Sequence, residues 1–285
     1  MPTMLSKWTR VFSAAAVVAL LQFSGSRADE PERDDDAAAA RLEFMLGAVR
    51  RFEVGPDDNQ AARWSLHAKP LLRWSNPFSG VRDGMVIMWT DGARPAVLAQ
   101  VFPAQEGPLW FIQCQSVASG PFALRDDRRV LWEPRVAGEK FHPLDGAEAP
   151  AEGRAKRLTQ LRALAQQFAA FDDFRIRPSD KETTRYGLRL MTNPVYRYEM
   201  PESKIIYGAV FPFVLGTAPE LLLVLEARQD DDGTRHWEYL LAPLTVWALE
   251  VKHGDQSVWE VAERYGKHSS RDAYHSWALD ETFDR

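Results

Sequence analysis

The chain has 285 residues, 45% apolar, 26% charged and 11% aromatic, with 35 basic residues against 40 acids. This composition excludes collagenous, disordered and disulfide-scaffolded classes and leaves one large or two small globular bodies with ample core. The acidic balance argues against nucleic acid, and the best basic patch (Arg125, Arg128, Arg129 and Arg135) is interrupted by Asp126, Asp127 and Glu133.

Residues 1–28 read as a signal peptide. Lys7 and Arg10 form a positive start, Val11–Phe23 is a mostly apolar stretch of thirteen residues, and Ser26-Arg27-Ala28 suits cleavage after Ala28. Such a stretch rises about 20 Å as a helix against a hydrocarbon core of roughly 30 Å, so a retained anchor is the weaker reading. Cleavage would remove three basic residues and no acid, taking the formal charge from −5 to −8. The product would be exported, periplasmic or secreted, with no membrane span. Cys114, the single cysteine, can form no internal disulfide and lies in the apolar run Leu109–Cys114, where a buried inert thiol is expected.

Residues 29–36 read as a charged spacer. A helix is expected over Ala37–Phe52, from the spacing of Leu42, Met45/Leu46, Val49 and Phe52. Strand-like runs follow at Leu66–Trp74, Met85–Thr90, Ala96–Phe102 and Leu109–Cys114, with connections too short for crossover helices, so neighbours should be antiparallel. Residues 143–153 read as a linker between a first half, 37–142, and a second, 154–262. The second half opens with a helix over Arg154–Phe171. Strands follow at Tyr186–Met191, Ile206–Val214, Glu220–Ala227, His236–Leu241, Thr245–Lys252 and Ser257–Val261. Residues 263–285 read as a polar tail.

The halves resemble each other. Arg41-Leu42 to Phe52 matches Arg157-Leu158 to Phe168 at an offset of 116, and Ser75-Asn76-Pro77 matches Thr192-Asn193-Pro194 at 117. Gly84, Gly92 and Pro95 match Gly208, Gly216 and Pro219 at 124, and Trp110 answers to Trp237. A longer loop at Met200-Pro201-Glu202-Ser203-Lys204 would absorb the drift. The expected fold is α+β: two similar helix-plus-antiparallel-meander halves, by internal duplication or by chance likeness. Continuous apolar runs at Val86–Trp89 and Leu221–Leu225 suggest strands covered on both faces, which favours one pseudo-symmetric body over two small domains.

No catalytic signature is present. HExxH, GxSxG, the P-loop and GxGxxG are all missing, so no cofactor is expected. His268, Asp272 and His275 would share a helix face, but Ser269-Ser270 weakens that helix; they read as surface residues, with no metal expected. Asp230-Asp231-Asp232-Gly233 reads as a hairpin turn. His67 or His236 could serve as a base, and Asp91, Glu199, Glu226, Glu238 and Glu250 are scattered carboxylates. Asn76-Pro77 and Asn193-Pro194 read as structural turns, an asparagine amide bonding backbone two residues on. If the rims at those turns meet at one cleft, the binding candidates are Arg73, Trp74, Tyr196 and Arg197, with Trp89 and Trp237 as further aromatic faces. An arginine fork with aromatic faces suits a carboxylate- or sugar-bearing ligand.

The phrases Trp74-Ser75-Asn76-Pro77, Trp89…Gly92…Arg94-Pro95, the acidic-proline linker before Arg154, and Pro219-Glu220-Leu221-Leu222-Leu223 resemble an uncharacterised family of exported planctomycete proteins. The resemblance covers roughly residues 40–262 and implies an exported bacterial domain of no particular activity. Three functions compete. The first is a non-catalytic protein binding a small molecule, a glycan or an envelope protein, and it needs an aromatic cleft. The second is a small-molecule hydrolase with a site assembled from distant residues, which needs a histidine or carboxylate pair in that cleft. The third, a structural envelope component, needs neither.

Overall fold

Two long hairpins stand at the centre of the structure, a computed structural model that describes residues 30–56, 63–105, 107–135, 138–175, 180 and 182–283. The expected signal peptide lies outside the described residues. Ala38–Arg285 form one compact unit.

Helix α1 (Glu30–Arg50) leads into β1 (Phe52–Pro56), β2 (Ser65–Leu66), β3 (Leu72–Asn76), β4 (Val81–Asp91), β5 (Arg94–Pro103) and β6 (Trp110–Ser116). Strands β7 (Phe122–Asp126), β8 (Arg129–Trp132) and β9 (His142–Pro143) follow, then helix α2 (Arg154–Ala165). The rest is β10 (Phe168–Phe174), β11 (Thr184–Leu190), β12 (Tyr196–Met200), β13 (Ile205–Leu215), β14 (Ala218–Gln229), β15 (Arg235–Pro243), β16 (Ala248–His253), β17 (Gln256–Val261) and β18 (Tyr274–Ala278). The fold is mixed α+β and its strand pairs are antiparallel. A six-stranded sheet runs β18-β6-β5-β4-β2 with β3 also on β4; β1-β7-β8 make a small sheet. A nine-stranded sheet runs β17-β16-β10-β11-β13-β14-β15-β9 with β12 on β13. Among the described residues no helix is long and apolar enough to cross a membrane.

The central strands are apolar on both faces, and their alternation decides the layers. Met85, Ile87 and Trp89 of β4 pack with Met45 and Val49 of α1, whereas Leu221, Leu223 and Leu225 of β14 pack with Leu161 and Leu164 of α2. The side chains in between, Val86, Met88 and Leu98 from one sheet and Val210, Leu222 and Val224 from the other, meet in a third core. The order is therefore helix, sheet, sheet, helix, as expected of strands covered on both faces.

Both central hairpins keep one register. Met85 stands opposite Val101, Trp89 opposite Val97 and Asp91 opposite Arg94; Ala209 stands opposite Leu225, Phe213 opposite Leu221 and Leu215 opposite Ala218. Each ladder is broken once in this stretch, between Trp89 and Thr90 and between Phe213 and Val214. Trp74 pairs with Gly84 and Tyr198 with Gly208, and a Cβ on either glycine would overlap the facing ring. β1-β7-β8 has the same likeness to β10-β16-β17. Phe52 opposes Asp126 and Leu124 opposes Trp132; Phe168 opposes His253 and Val251 opposes Trp259.

Several expectations are corrected. Residues 30–36 are helical, continuous with α1, rather than a spacer. α2 ends at Ala165, and Phe168 and Phe171 belong to β10. There Phe168, Ala170, Asp172 and Phe174 alternate inward, so a sheet partner overrides the helical spacing of the same residues. Met200–Lys204 is no insertion, since Asn76–Gly80 spans the same step in the other hairpin, with left-handed Gly80 and Lys204 at corresponding points. By register, Asn193-Pro194 answers to Lys69-Pro70 rather than to Asn76-Pro77: Leu71 N bonds Val86 O, and Val195 N bonds Val210 O.

The tail is not free either. β18 pairs with β6, and β9 pairs with β15, so a strand from the C-terminal segment extends the six-stranded sheet and β9 extends the nine-stranded one. Leu279 N bonds Trp110 O at 2.7 Å and Leu144 N bonds Trp237 O at 2.9 Å. Ending the chain after Ala262 would strip β6 of its outer partner β18 and expose the surface that Tyr274 covers, lowering Tm by roughly 10 °C or more; thermal denaturation followed by circular dichroism reads this, and a free tail would leave Tm unchanged.

Candidate functional site

Between the inner sheet faces lies a cleft of about 550 Å³, within the range of small-molecule pockets. One wall comes from Trp74 on β3 and from Phe102 and Phe111 on β5 and β6; the other from Phe174 at the end of β10, Trp247 and Tyr265. The rings form two contiguous runs. Trp74 and Phe102 lie 5.8 Å apart and Phe102 and Phe111 6.3 Å, while Trp247 contacts Phe174 at 6.2 Å and stacks on the half-exposed Tyr265 at 5.8 Å.

The polar lining is sparse. Gln100 donates through Nε2 to Gln113 Oε1 at 2.7 Å and to the Leu244 carbonyl, which leaves its buried Oε1 with no donor. Among the described lining residues Glu220 is the one carboxyl, nearly enclosed and held by the Thr245 hydroxyl. Burial pushes it up to about 7. Asp172, on the same face of β10 as Phe174, is fully enclosed, and neither of its oxygens has a hydrogen-bond partner. Burial first, then the charges of Glu220 and Asp173, push it up to about 9. Arg175 also lines the cleft; its two terminal nitrogens bond Glu263, at 2.8 and 3.3 Å, its Nε is buried without a partner, and the guanidinium lies over Trp247.

A second polar place lies across the same inter-sheet layer. Glu226, fully buried, accepts Arg94 Nε at 2.7 Å and Nη2 at 2.9 Å, the Tyr198 hydroxyl at 2.6 Å and Arg228 Nη1 at 3.1 Å. Arg94 lies 4.4 Å over the Phe141 ring. Burial and the neighbouring carboxylate push the Tyr198 hydroxyl well up, keeping it a donor.

The cleft gathers three of the residues singled out from sequence, Trp74, Asn76 and His268. Asn76 accepts the Phe78 N–H at 3.0 Å, a turn closed by its own amide, beside exposed Pro77. Asn193 instead accepts from Arg162 at 2.8 Å, next to Pro194. Arg73 is drawn away from any ligand: with Arg41 it pairs with Asp83 and bonds the Ala38 carbonyl. Trp89 is buried in the core under α1, and Trp237 is buried with its Nε1 on Glu148 O at 2.9 Å. Tyr196 stacks on Tyr198 and bonds Ala93 O, and Arg197 is exposed on β12. Sequence reasoning missed Gln100, Phe102, Phe111 and Glu220, because no local spacing announces a site assembled from two sheets. A glutamate inside the apolar strand Ala218–Gln229 was the available signal.

Of the remaining candidates His268 also borders the cleft, and the others lie elsewhere. His67 Nδ1 lies 2.8 Å from Lys69 O, and His236 sits 3.3 Å from Asp230 and 3.5 Å from Glu238. His268 and His275 approach to 3.2 Å off any helix, and burial lowers both, His275 to about 4. Among the described residues no group of three or more His, Cys, Asp or Glu could hold a metal ion. Cys114 is buried and its thiol is pushed well up by desolvation. Comparison with protein-family models, curated proteins and solved structures finds no match for the chain.

Two predictions follow from the buried charges. Arg94→Ala leaves Glu226 short of its main partner and is expected to destabilise the fold by about 3 kcal/mol, with Arg94→Ala/Glu226→Gln less than additive; urea denaturation reads both. From the ordinary carboxylate range near pH 4 up to about 9, folded Asp172 keeps a proton that the unfolded chain releases. Stability should therefore fall as pH rises through that window, and Asp172→Asn should flatten the dependence, measured as Tm against pH.

Proposed function

We propose that the chain is an exported, non-catalytic binding protein built by internal duplication, and that its cleft takes a small organic molecule. The signal-like segment 1–28 and the resemblance to exported planctomycete proteins support export. The shared register supports duplication. Trp74, Gly84 and Gly92 stand at the places of Tyr198, Gly208 and Gly216, each 124 residues on, and the sequence drift falls in the connections rather than within the ladders.

Duplication explains why a cleft exists. Register puts Ala218 at the place of Arg94, Phe102 at that of Glu226 and Trp74 at that of Tyr198. Where Arg94 fills one inter-sheet place, Ala218 leaves its counterpart open. This is the observation that carries the reading: the layer is plugged by an ion pair on one side and empty among aromatic rings on the other. A two-carboxyl hydrolytic site is less well supported, since Asp172 is fully enclosed and is not among the lining residues. A purely structural component gives the cleft no use.

Naphthylmethanol, an uncharged aromatic probe, is expected to bind saturably by isothermal titration calorimetry. Ala218→Met, which extends an apolar chain into the cleft, should weaken that binding at least about tenfold, or 1.4 kcal/mol. Binding unaffected by the substitution would place the probe elsewhere and overturn the reading.

A further inference from the structure

Resting on the cleft being a ligand site, we propose that its ligand is a small organic cation: an amine or amidine on an apolar or aromatic body, with the charged head on Glu220 and Gln100 Oε1 and the body between the rings. Gln100 Oε1 is an acceptor without a donor, and Glu220 accepts from the neutral Thr245 hydroxyl. The orientation of Gln100 is fixed, because its Nε2 sits between two acceptors, the Gln113 amide oxygen and the Leu244 carbonyl. Its buried oxygen is therefore left facing no donor, and such a vacancy costs the full desolvation of that atom until a donor arrives.

Among the described residues no cation is paired with Glu220. Its hydrogen-bond partner is the neutral Thr245 hydroxyl, and the neighbouring carboxyl is Asp172, of like sign when ionised. The basic groups in the lining have partners of their own: Arg175 bonds Glu263 through both terminal nitrogens while its Nε is buried without a partner, and His268, lowered by burial, lies against His275. A buried carboxylate is stable only when paired, so a cation entering from solvent would supply what the chain does not. An anionic ligand would face a like charge, and a neutral one would leave the glutamate as it is.

The molecule also contains the arrangement in miniature. At the counterpart place the guanidinium of Arg94 lies over the Phe141 ring and is held two-pronged by Glu226. In the open cleft the arginine is Ala218, and Glu220 stands two residues along the same strand, on the same face as the vacated position. The aromatic walls suit a cation and its body, since ring faces attract positive charge and the rings bury apolar surface. The Trp74 indole N–H, buried and without a partner, is free to donate to an oxygen on that body.

The test titrates the full chain with naphthylmethylammonium, naphthylmethanol and naphthoate, which differ in charge more than in shape. The ammonium is expected to bind at least about tenfold tighter than the alcohol, with naphthoate weakest. Glu220→Gln, with its fold checked by circular dichroism, should bring the ammonium-to-alcohol ratio within about twofold. The wild-type ranking stands independently of whether that variant folds. An alcohol or naphthoate that binds as tightly as the ammonium overturns the cation proposal while leaving the binding reading intact, as does a folded Glu220→Gln variant that keeps the full ratio. Failure of all three probes to bind overturns the binding reading itself.

Discussion

Each central sheet is apolar on both faces, and one helix covers one face of each, α1 on the first and α2 on the second. That shortfall organises the molecule. Val86, Met88 and Leu98 can leave water only against Val210, Leu222 and Val224 of the other sheet, so the two sheets are obliged to pack together. The placing of β9 and β18 follows the same logic at the edges. A bare sheet edge is a liability, and β9 and β18 cover the edges of β15 and β6.

Chemistry enters where this apolar layer is imperfect. Burying Glu226 is tolerable because Arg94, Arg228 and Tyr198 satisfy it from three sides. The corresponding place near Ala218 has no such plug, and the surrounding rings, Trp74, Phe102 and Phe111, are too rigid to collapse into the space. Glu220 and Asp172 respond in the way left to unpaired buried carboxyls, by holding their protons more tightly. The cleft and its electrostatics are thus two consequences of one substitution pattern between otherwise matched hairpins.

Much of the fold was legible in the sequence. The uninterrupted apolar runs in β4 and β14 announced strands covered on both sides, and the glycine–proline turns at Gly92 and Gly216 located both hairpins. Phe168 and Phe171 misled because helix and strand periodicities coincide over so short a span, and only pairing with β16 decides between them. The Asn-Pro likeness misled for a related reason: a local phrase carries no register, whereas the backbone bonds at Leu71 and Val195 do. Tyr274 and Trp277 looked like isolated aromatics of a polar tail, since a strand donated across the chain depends on a partner more than 150 residues away. The site was least legible. Trp74 was visible as an aromatic beside a turn, but its meaning depends on Glu220 and Trp247, which only the packing of the halves brings near.

The central claim is that the inter-sheet layer is open on the Ala218 side in order to receive a charged ligand. A crystal structure of the chain with naphthylmethylammonium tests it most directly. The account predicts the naphthyl rings between Trp74 and Trp247, with the ammonium within hydrogen-bond distance of Glu220 and Gln100 Oε1. A cleft closed by its own side chains, or a probe lodged anywhere else on the protein, would contradict it.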